Sequence, residues 1–304
     1  FSLYGDTKKP TETMLQKVDL LLFDMQDVGA RFYTYNVTLG NILEAAAASD
    51  VPVWVLDRPN PAGGNLISGW MMHDEHQSFV GAYPIPMVHG MTLGELAKMM
   101  VGEKWIKNAE QVDLRVIKMQ DWERSMKWPE TGLKWIPPSP NLPTFEHAYV
   151  YLGTVLFEGT NFSEGRGTID PFLKIGSPAT KLTDNQIAHL NQSFEGVNFE
   201  RISFTPKSMP GKAPYPDHEG ELCYGVKITV TDPAKFNPVA LGVTLLNVML
   251  KATPNGETID FIELLSGIDE SKLLEQLESQ SYQQKWESTA KAFAKNRAEY
   301  LLYN

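Results

Sequence analysis

The hydrophobic pattern near the amino terminus alternates between short apolar runs and a helix-forming segment. The apolar runs occupy residues 18–24 and 52–57, and each ends in aspartate. Runs of this length and composition are typical of strands buried on both faces of a sheet. Residues 38–49 are rich in leucine and alanine, which favour a helix. The order strand, helix, strand predicts a parallel sheet with a right-handed crossover, and residues 112–119 predict a further strand.

Two threonines mark predicted helix starts. Thr92 is followed three residues later by Glu95, which is the spacing of a capping box, and we predict a helix from there to about residue 101. Thr183 and Gln186 have the same spacing and predict a helix to about residue 192. Because capping occupies its carboxylate, Glu95 is not taken as a catalytic candidate.

A proline-rich segment divides the chain. Prolines are dense between residues 127 and 143, which excludes a helix or an interior strand there. We predict a domain junction at 135–141, where Trp135 either forms a wall for a sugar or packs inward in a rigid linker. Beyond it the pattern predicts helices at 145–157, 237–251, 268–279 and 281–303, and strands at 197–206 and 223–231.

The chain is therefore predicted to be an α/β protein of two domains. Residues 1–141 form the domain with the parallel sheet, and residues 142–304 form a smaller α+β domain. Few polar motifs follow residue 231, so we expect that end to be scaffold.

Composition narrows the possible functions. With 27 basic and 37 acidic residues the net charge is −10, which argues against nucleic acid as a partner. No apolar run approaches the roughly 20 residues of a membrane span. Cys223 is the single cysteine, and the six histidines lack ligand spacing, so we predict neither a disulfide nor a metal site. No Gly-x-Gly-x-x-Gly follows the first strand, which disfavours a nucleotide, and we predict no cofactor.

The first two predicted strands run into polar loops. The first loop is Asp24-Met-Gln-Asp-Val-Gly-Ala-Arg31, followed by Tyr33, and the second is Asp57-Arg-Pro-Asn-Pro61. Open α/β sheets bind ligands beyond the carboxyl ends of their strands, so we expect one site there. Alternatively, Asp57 and Arg58 pair with each other or cap a turn. His89, just before the Thr92 cap, either faces a ligand or is an ordinary hydrogen-bonded residue.

The most polar loop of the chain is Glu158-Gly-Thr-Asn-Phe-Ser-Glu-Gly-Arg-Gly-Thr168. Its glycine content argues against a strand or a helix interior. Glu158 and Glu164 could act as acid and base, and Arg166 could bind an anion or hold one carboxylate ionised. The alternative is a glycine-rich turn with surface charges.

Together these motifs resemble those of the exo-β-N-acetylmuramidase family, the NamZ-type family formerly called DUF1343. The resemblance rests on six motifs in order: Asp24-x-Gln-Asp-Val-Gly-Ala-Arg-x-Tyr-Thr34, Asp57-Arg-Pro-Asn-Pro61, Ser78-Phe-Val-Gly81, His89-Gly-Met-Thr-x-Gly-Glu95, Pro138-Ser-Pro-Asn141 and Glu158-Gly-Thr-Asn-x-Ser-Glu-Gly-Arg-Gly-Thr168.

The resemblance implies a Rossmann-like amino-terminal domain and an active cleft between the two domains. It implies hydrolysis of terminal β-linked N-acetylmuramic acid from the non-reducing end of peptidoglycan fragments. It also implies export by a bacterium, to the periplasm or the medium. The chain opens without an initiator Met or a signal peptide, so we expect a processed or truncated product.

Glycoside hydrolysis usually needs two carboxyl groups. Glu164 or Glu158 is the expected first member. The family's other candidate is a glutamate in a Glu-His-Gly motif upstream of the element that begins at Ser2, outside this chain. Within the chain Asp27 is the best substitute, unless it caps the turn after the first strand.

Muramic acid carries a lactyl carboxylate, for which arginine is the best-matched cation. Arg31, Arg58 and Arg166 are the candidates, although at least one could instead pair with a nearby acid, and we expect them to share a pocket with Glu164. The full predicted binding set is Asp24, Gln26, Arg31, Tyr33, Asp57, Arg58, Asn60, His89, Asn141, Asn161 and Arg166. A non-catalytic binder of peptidoglycan fragments, using the same cleft, is the alternative function.

Overall fold

The structure is a computed structural model, and it describes residues 2, 3 and 7–304. Tyr4 and Gly5, in the element that begins at Ser2, lie outside the described residues. The helices are α1 (Glu12–Leu15), α2 (Tyr35–Ala48), α3 (Leu93–Gly102), α4 (Phe145–Thr154), α5 (Asp184–Ser193), α6 (Pro238–Ala252), α7 (Phe261–Ser266), α8 (Glu270–Ser279) and α9 (Tyr282–Arg297). The strands are β1 (Leu21–Phe23), β2 (Val53–Leu56), β3 (Ser68–Met71), β4 (Pro86–Val88), β5 (Leu114–Ile117), β6 (Lys174–Ser177), β7 (Val197–Phe204) and β8 (Cys223–Val230).

The amino-terminal half contains the predicted parallel sheet. Its order is β1-β2-β5, with Val53 of β2 opposite both Leu21 and Leu114. Val53 and Val55 are buried, and Leu43 of α2 and Leu96 of α3 belong to the same hydrophobic core. The α/β class is thereby confirmed.

The carboxyl-terminal half contains an antiparallel sheet of order β6-β8-β7, in which β8 is central. Helices α4 and α6 cross in close contact because each carries a glycine at the crossing. A Cβ added at Gly242 would lie 2.2 Å from the carbonyl carbon of Gly153. The crossing holds α4 firmly, and a short 3-10 helix, Val155–Gly159, connects α4 to the polar loop 158–168.

Both predicted capping boxes are confirmed. Thr92 and Glu95 cap α3, and Thr183 and Gln186 cap α5, each through reciprocal side-chain and backbone hydrogen bonds. The carboxylate of Glu95 also accepts from Arg124 and from the N–H of Leu302. Glu95 is therefore a structural residue, as the sequence predicted.

The halves share packing, and the end of the chain returns to the amino-terminal half. One continuous core joins Phe32 and Trp70 to residues of β6, β8 and α6. Arg297, at the end of α9, donates to the carbonyls of His89 and Gly90, and Tyr303 donates to Asp57. Among the described residues, no helix is long and apolar enough to cross a bilayer.

Candidate active site

A cavity of about 540 Å³ lies where the loop after β1, the proline-rich segment and the polar loop 158–168 meet. Its walls combine aromatic rings with hydroxyl, amide and charged groups. The lining residues are Leu3, Lys8, Phe32, Tyr33, Thr34, Phe79, Val80, Ser139, Asn141, Leu142, Tyr151, Glu158, Arg166 and Phe172. We refer to it as the site cavity.

Arg166 joins two carboxylates at the wall of the site cavity. Its Nη1 donates to Oε1 of Glu164 at 2.9 Å, and its Nη2 donates to Oε1 of Glu158 at 3.0 Å. The guanidinium carbon also lies 4.9 Å from the centroid of the Phe172 ring. Glu158 faces the cavity, whereas Glu164 is almost fully buried behind Arg166.

The charges of Glu158, Glu164 and Arg166 influence the pKa values of Glu164 and Arg166. Burial raises the pKa of Glu164, the charge of Arg166 opposes this rise, and the charge of Glu158 adds to it. Burial by itself would lower the pKa of Arg166, but the charges of Glu158 and Glu164 raise it above its ordinary value. Arg166 is therefore always cationic and is neutralised within the protein.

The glycines of this loop bring it close to other backbone segments. Gly165 and Gly167 have φ of +83° and +78°, and a Cβ on Gly165 would lie 2.6 Å from the carbonyl oxygen of Lys174. Ser163 and Gly176 of β6 pair through two backbone hydrogen bonds. The loop is therefore fixed to the edge of β6, and this holds Glu164 and Arg166 in place.

Asp27 is buried and does not itself line the site cavity. Its Oδ2 accepts from the N–H of Gly29 at 2.8 Å, and its Oδ1 has no hydrogen-bond partner among the described residues. Burial raises the pKa of Asp27 to about 7, although backbone N–H groups oppose the rise. Its charge acts on the hydroxyls of Tyr33 and Tyr151, which both line the cavity.

Tyr151 lines the site cavity and is subject to the charges of both Asp27 and the Glu158–Arg166 cluster, although the sequence did not single it out. Burial raises its pKa well above the ordinary value, and the charges of Glu158, Arg166 and Asp27 also act on it. It lies on α4, which the sequence predicted, but nearly every residue of that helix is buried. Only the spacing that places residue 151 about two helical turns before Glu158 could have indicated it.

The other cavity residues that were not selected are aromatic, aliphatic or hydroxyl-bearing, together with Lys8. Phe79, Val80, Ser139 and Thr34 do lie in the motifs that carried the family resemblance. Those motifs therefore contained the signal, but the phenyl, aliphatic and hydroxyl side chains in them carry neither a charge nor an amide that would single them out in the sequence.

Arg31 and Arg58 lie apart from Glu164. Arg31 is fully buried and donates to the carbonyls of Trp70, Ile85, Leu265 and Ser266. Arg58 is half exposed and pairs with Asp24 at 2.6 Å beside a separate cavity of about 410 Å³. The expected meeting of Arg31, Arg58 and Glu164 in one pocket is therefore not what the structure has.

Several predicted binding residues have their polar atoms engaged by the protein. Asp57 accepts from Thr92, Gly94, Arg58 and Tyr303. Asn60 bonds the backbone of Met91 and Ala62, and Gln26 donates to the carbonyls of Asp27 and Pro59. Asn161 bonds the backbone of Asn255 and Glu257.

Tyr33 and Asn141 do line the site cavity, as predicted for binding residues. The side-chain amide of Asn141 also donates to the carbonyl of Lys212.

One group could hold a metal ion among the residues that the structure describes. Ligand atoms of Glu75, His76 and Asp269 lie within 4.8 Å of one another, away from the residues of the site cavity. The ammonium of Lys272 already pairs with Asp269. Because this ammonium already occupies one of the three possible ligands, a divalent ion is disfavoured there, and we assign no metal.

The comparisons with known proteins agree with one another. The model for "Exo-beta-N-acetylmuramidase NamZ, N-terminal" matches residues 1–146, and its C-terminal counterpart matches residues 149–303. The chain is 43% identical over 310 residues to the peptidoglycan beta-N-acetylmuramidase NamZ of Bacillus subtilis, covering 100% of this chain and 72% of that protein.

Two crystal structures of DUF1343 family proteins from Bacteroides fragilis are also similar. The first superposes with a TM-score of 0.86 at 30% identity, covering 100% of this chain and 80% of the other. The second has a TM-score of 0.83 at 34% identity, covering 97% and 78% respectively.

Proposed function

The chain belongs to the exo-beta-N-acetylmuramidase NamZ family, and we propose that it removes terminal, non-reducing β-linked N-acetylmuramic acid from peptidoglycan fragments. The site cavity, between the two halves of the chain, is the proposed active cleft. The observation that carries this proposal is Glu158 at the wall of that cavity, held there by Arg166, which also pairs with the buried Glu164.

The dimensions and lining of the site cavity suit one amino sugar. Pockets of roughly 300–1,000 Å³ with apolar walls and a few polar groups are typical of small-ligand sites. Phe32, Phe79 and Phe172 supply apolar surface for the faces of a sugar ring. Ser139 and Asn141 supply a hydroxyl and an amide for the sugar hydroxyls and the acetamido group.

We assign the chemistry to Glu158 and Asp27, with Glu164 as a positioning residue. Glu158 faces the cavity, so it is the group that attacks the anomeric carbon or activates water. Asp27, whose pKa is raised to about 7, still carries a proton near neutral pH, and it is the proposed source of the proton for the leaving oxygen. Because Asp27 is buried and does not line the cavity, that proton must pass through a group at the cavity wall. Glu164 fixes Arg166, and Arg166 in turn orients Glu158.

Hydrolysis of a chromogenic β-N-acetylmuramide tests the proposal. Glu158→Gln should lower kcat by about a thousandfold or more while N-acetylmuramic acid still binds. Glu200→Gln is the matched control, because Glu200 is an exposed residue of β7 and does not line the cavity. Binding without turnover by the unaltered chain would instead indicate a non-catalytic peptidoglycan-fragment binder, and unchanged turnover in Glu158→Gln would remove Glu158 from the mechanism.

We also propose that the protein acts outside the cytoplasm, in the periplasm or the medium. Peptidoglycan fragments are the proposed substrate, and they are released from the wall on that side of the membrane. Fractionation of the source cells followed by immunodetection tests this, and recovery in the cytoplasmic fraction alone would contradict it.

A further inference from the structure

The site cavity has two cations among the residues that the structure describes, Lys8 and Arg166. They differ in what surrounds them. Arg166 is bonded to the carboxylates of both Glu158 and Glu164. A further anion brought to Arg166 would meet two like charges beside it, so Arg166 is poorly placed to bind an acidic ligand.

Lys8 is the cation of this cavity that has no acidic partner among the described residues. Its ammonium lies 4.4 Å from the centroid of the Phe79 ring, in a cation–π contact, and its side chain is exposed to the solvent of the cavity mouth. A cation on an aromatic face keeps its hydrogen-bond donors available on the other side. Lys8 can therefore receive a carboxylate without breaking an ion pair to any residue that the structure describes.

Neighbouring contacts hold Lys8 and Phe79 in position. The carbonyl of Lys8 accepts from the amide of Asn41 on α2, and the next residue, Lys9, pairs with Glu44 at 2.6 Å. Phe79 lies in a tight turn in which Ser78 and Gly81 exchange two backbone hydrogen bonds of 3.0 Å each. The ammonium is thus presented at the cavity from two fixed backbone segments.

We propose that Lys8, seated on Phe79, binds the carboxylate of the lactyl group and so selects muramic acid over uncharged amino sugars. This inference rests on the proposed function, since it takes the amino sugar in the site cavity as given. It replaces the three arginines in that role. Arg31 and Arg58 lie apart from the cavity, and Arg166 is neutralised.

Binding of N-acetylmuramic acid and of its lactyl methyl ester, measured by calorimetry, tests the proposal. The ester keeps the sugar and removes the charge. The unaltered protein should prefer the acid by about fivefold to tenfold, and Lys8→Met should abolish that preference. Lys8→Arg should retain most of it. Added salt should weaken binding of the acid wherever residue 8 is cationic, and should have little effect on binding of the ester or on the Lys8→Met variant.

Lys17→Met is the control. It removes an exposed lysine that does not line the cavity and takes no part in holding Lys8, so the preference for the acid should persist. An undiminished preference in Lys8→Met would overturn the role of Lys8. If that variant also hydrolysed the chromogenic muramide normally, the proposed function would stand. Failure of the unaltered protein to bind or hydrolyse any muramic acid derivative would overturn both.

Discussion

The Nε2 atom of His89 lies 3.9 Å from Oδ2 of Asp27, and both side chains are buried. Nδ1 of His89 accepts from the N–H of Met91, so Nε2 carries the proton of the neutral ring. Burial raises the pKa of Asp27 to about 7, while burial and the nearby charges of Arg297 and Arg31 lower the pKa of His89 to about 3. Between those values both groups are uncharged, so they do not form an ion pair despite their proximity.

The raised pKa of Asp27 predicts a loss of stability as the pH rises. The unfolded chain ionises this group near its ordinary value of 3.8, whereas the folded chain does so near 7. Within that window the unfolded state binds fewer protons, so the free energy of unfolding should fall by on the order of 4 kcal/mol from this group. Asp27→Asn keeps an oxygen for Gly29 and should remove the fall. Urea denaturation at several pH values between about 4 and about 8 measures it, and parallel curves for the two proteins would count against the buried carboxyl.

His89 should have the opposite effect over an overlapping pH range, so each contribution is obtained from the difference between a variant and the unaltered protein. Its folded pKa of about 3 lies below the ordinary 6.5, so the unfolded chain takes up a proton first as the pH falls. Stability is therefore lost progressively from about pH 6.5 to about pH 3. His89→Asn retains an acceptor for the N–H of Met91 and should move the midpoint of acid unfolding to lower pH. His189→Asn, at an exposed site on α5, is the control and should leave that midpoint where it was.

Elements stabilised by contacts close in sequence were predictable. The Thr92–Glu95 and Thr183–Gln186 pairs fix the starts of α3 and α5 through bonds within one helical turn. Strand β6 was not predicted, because its stability comes from distant pairing. Its Gly176 faces Gly225 of β8 in register, and glycine gives no local signal for a strand. The β3–β4 pair was missed in the same way. The short helices α1 and α7 were also not predicted, because four and six residues are too few for a helical hydrophobic period to show.

The candidate site was predictable in its residue types but not in their partners. Arg31 and Arg166 both lie in polar loops of similar sequence character. However, the guanidinium of Arg31 reaches carbonyls that lie 234 and 235 positions further along the chain, whereas that of Arg166 bonds acids two and eight positions away. Only the folded chain distinguishes the two roles, since burial and long-range contacts decide them.

The contrast between Arg31 and Arg58 is testable. Arg31→Met should destabilise the protein by about 3–5 kcal/mol, because four carbonyls lose a buried charged donor. Arg58→Met should cost less than about 1 kcal/mol, because its pair with Asp24 is exposed. Thermal unfolding of both variants provides the comparison. Equal, small losses would mean that the buried network around Arg31 does not form.

Arg58→Met should also leave recognition of the lactyl group unchanged. Arg58 lies beside a cavity separate from the one proposed to hold the sugar, so its removal takes no cation from the ligand. The preference for N-acetylmuramic acid over its lactyl methyl ester, measured by calorimetry, should equal that of the unaltered protein. A loss of this preference would return the anion-binding role to Arg58.

Removing Arg166 should produce a pH-dependent loss of stability. Burial already holds the pKa of Glu164 above its ordinary value, and the charge of Arg166 opposes that rise. In Arg166→Met the pKa of Glu164 should rise further, so the folded chain must either protonate Glu164 or bury its charge beside Glu158. The destabilisation should therefore be small near pH 5 and reach about 3 kcal/mol near pH 8.

The double variant Arg166→Met/Glu164→Gln separates electrostatics from lost packing. It removes the buried negative charge together with the cation, so most of the stability at about pH 8 should return if the charge is the cause. Arg166 also lies over the ring of Phe172, and loss of that contact would be independent of pH. A deficit that is the same at both pH values, and that the second substitution does not relieve, would mean that Arg166 stabilises the loop by packing rather than by its two carboxylate partners.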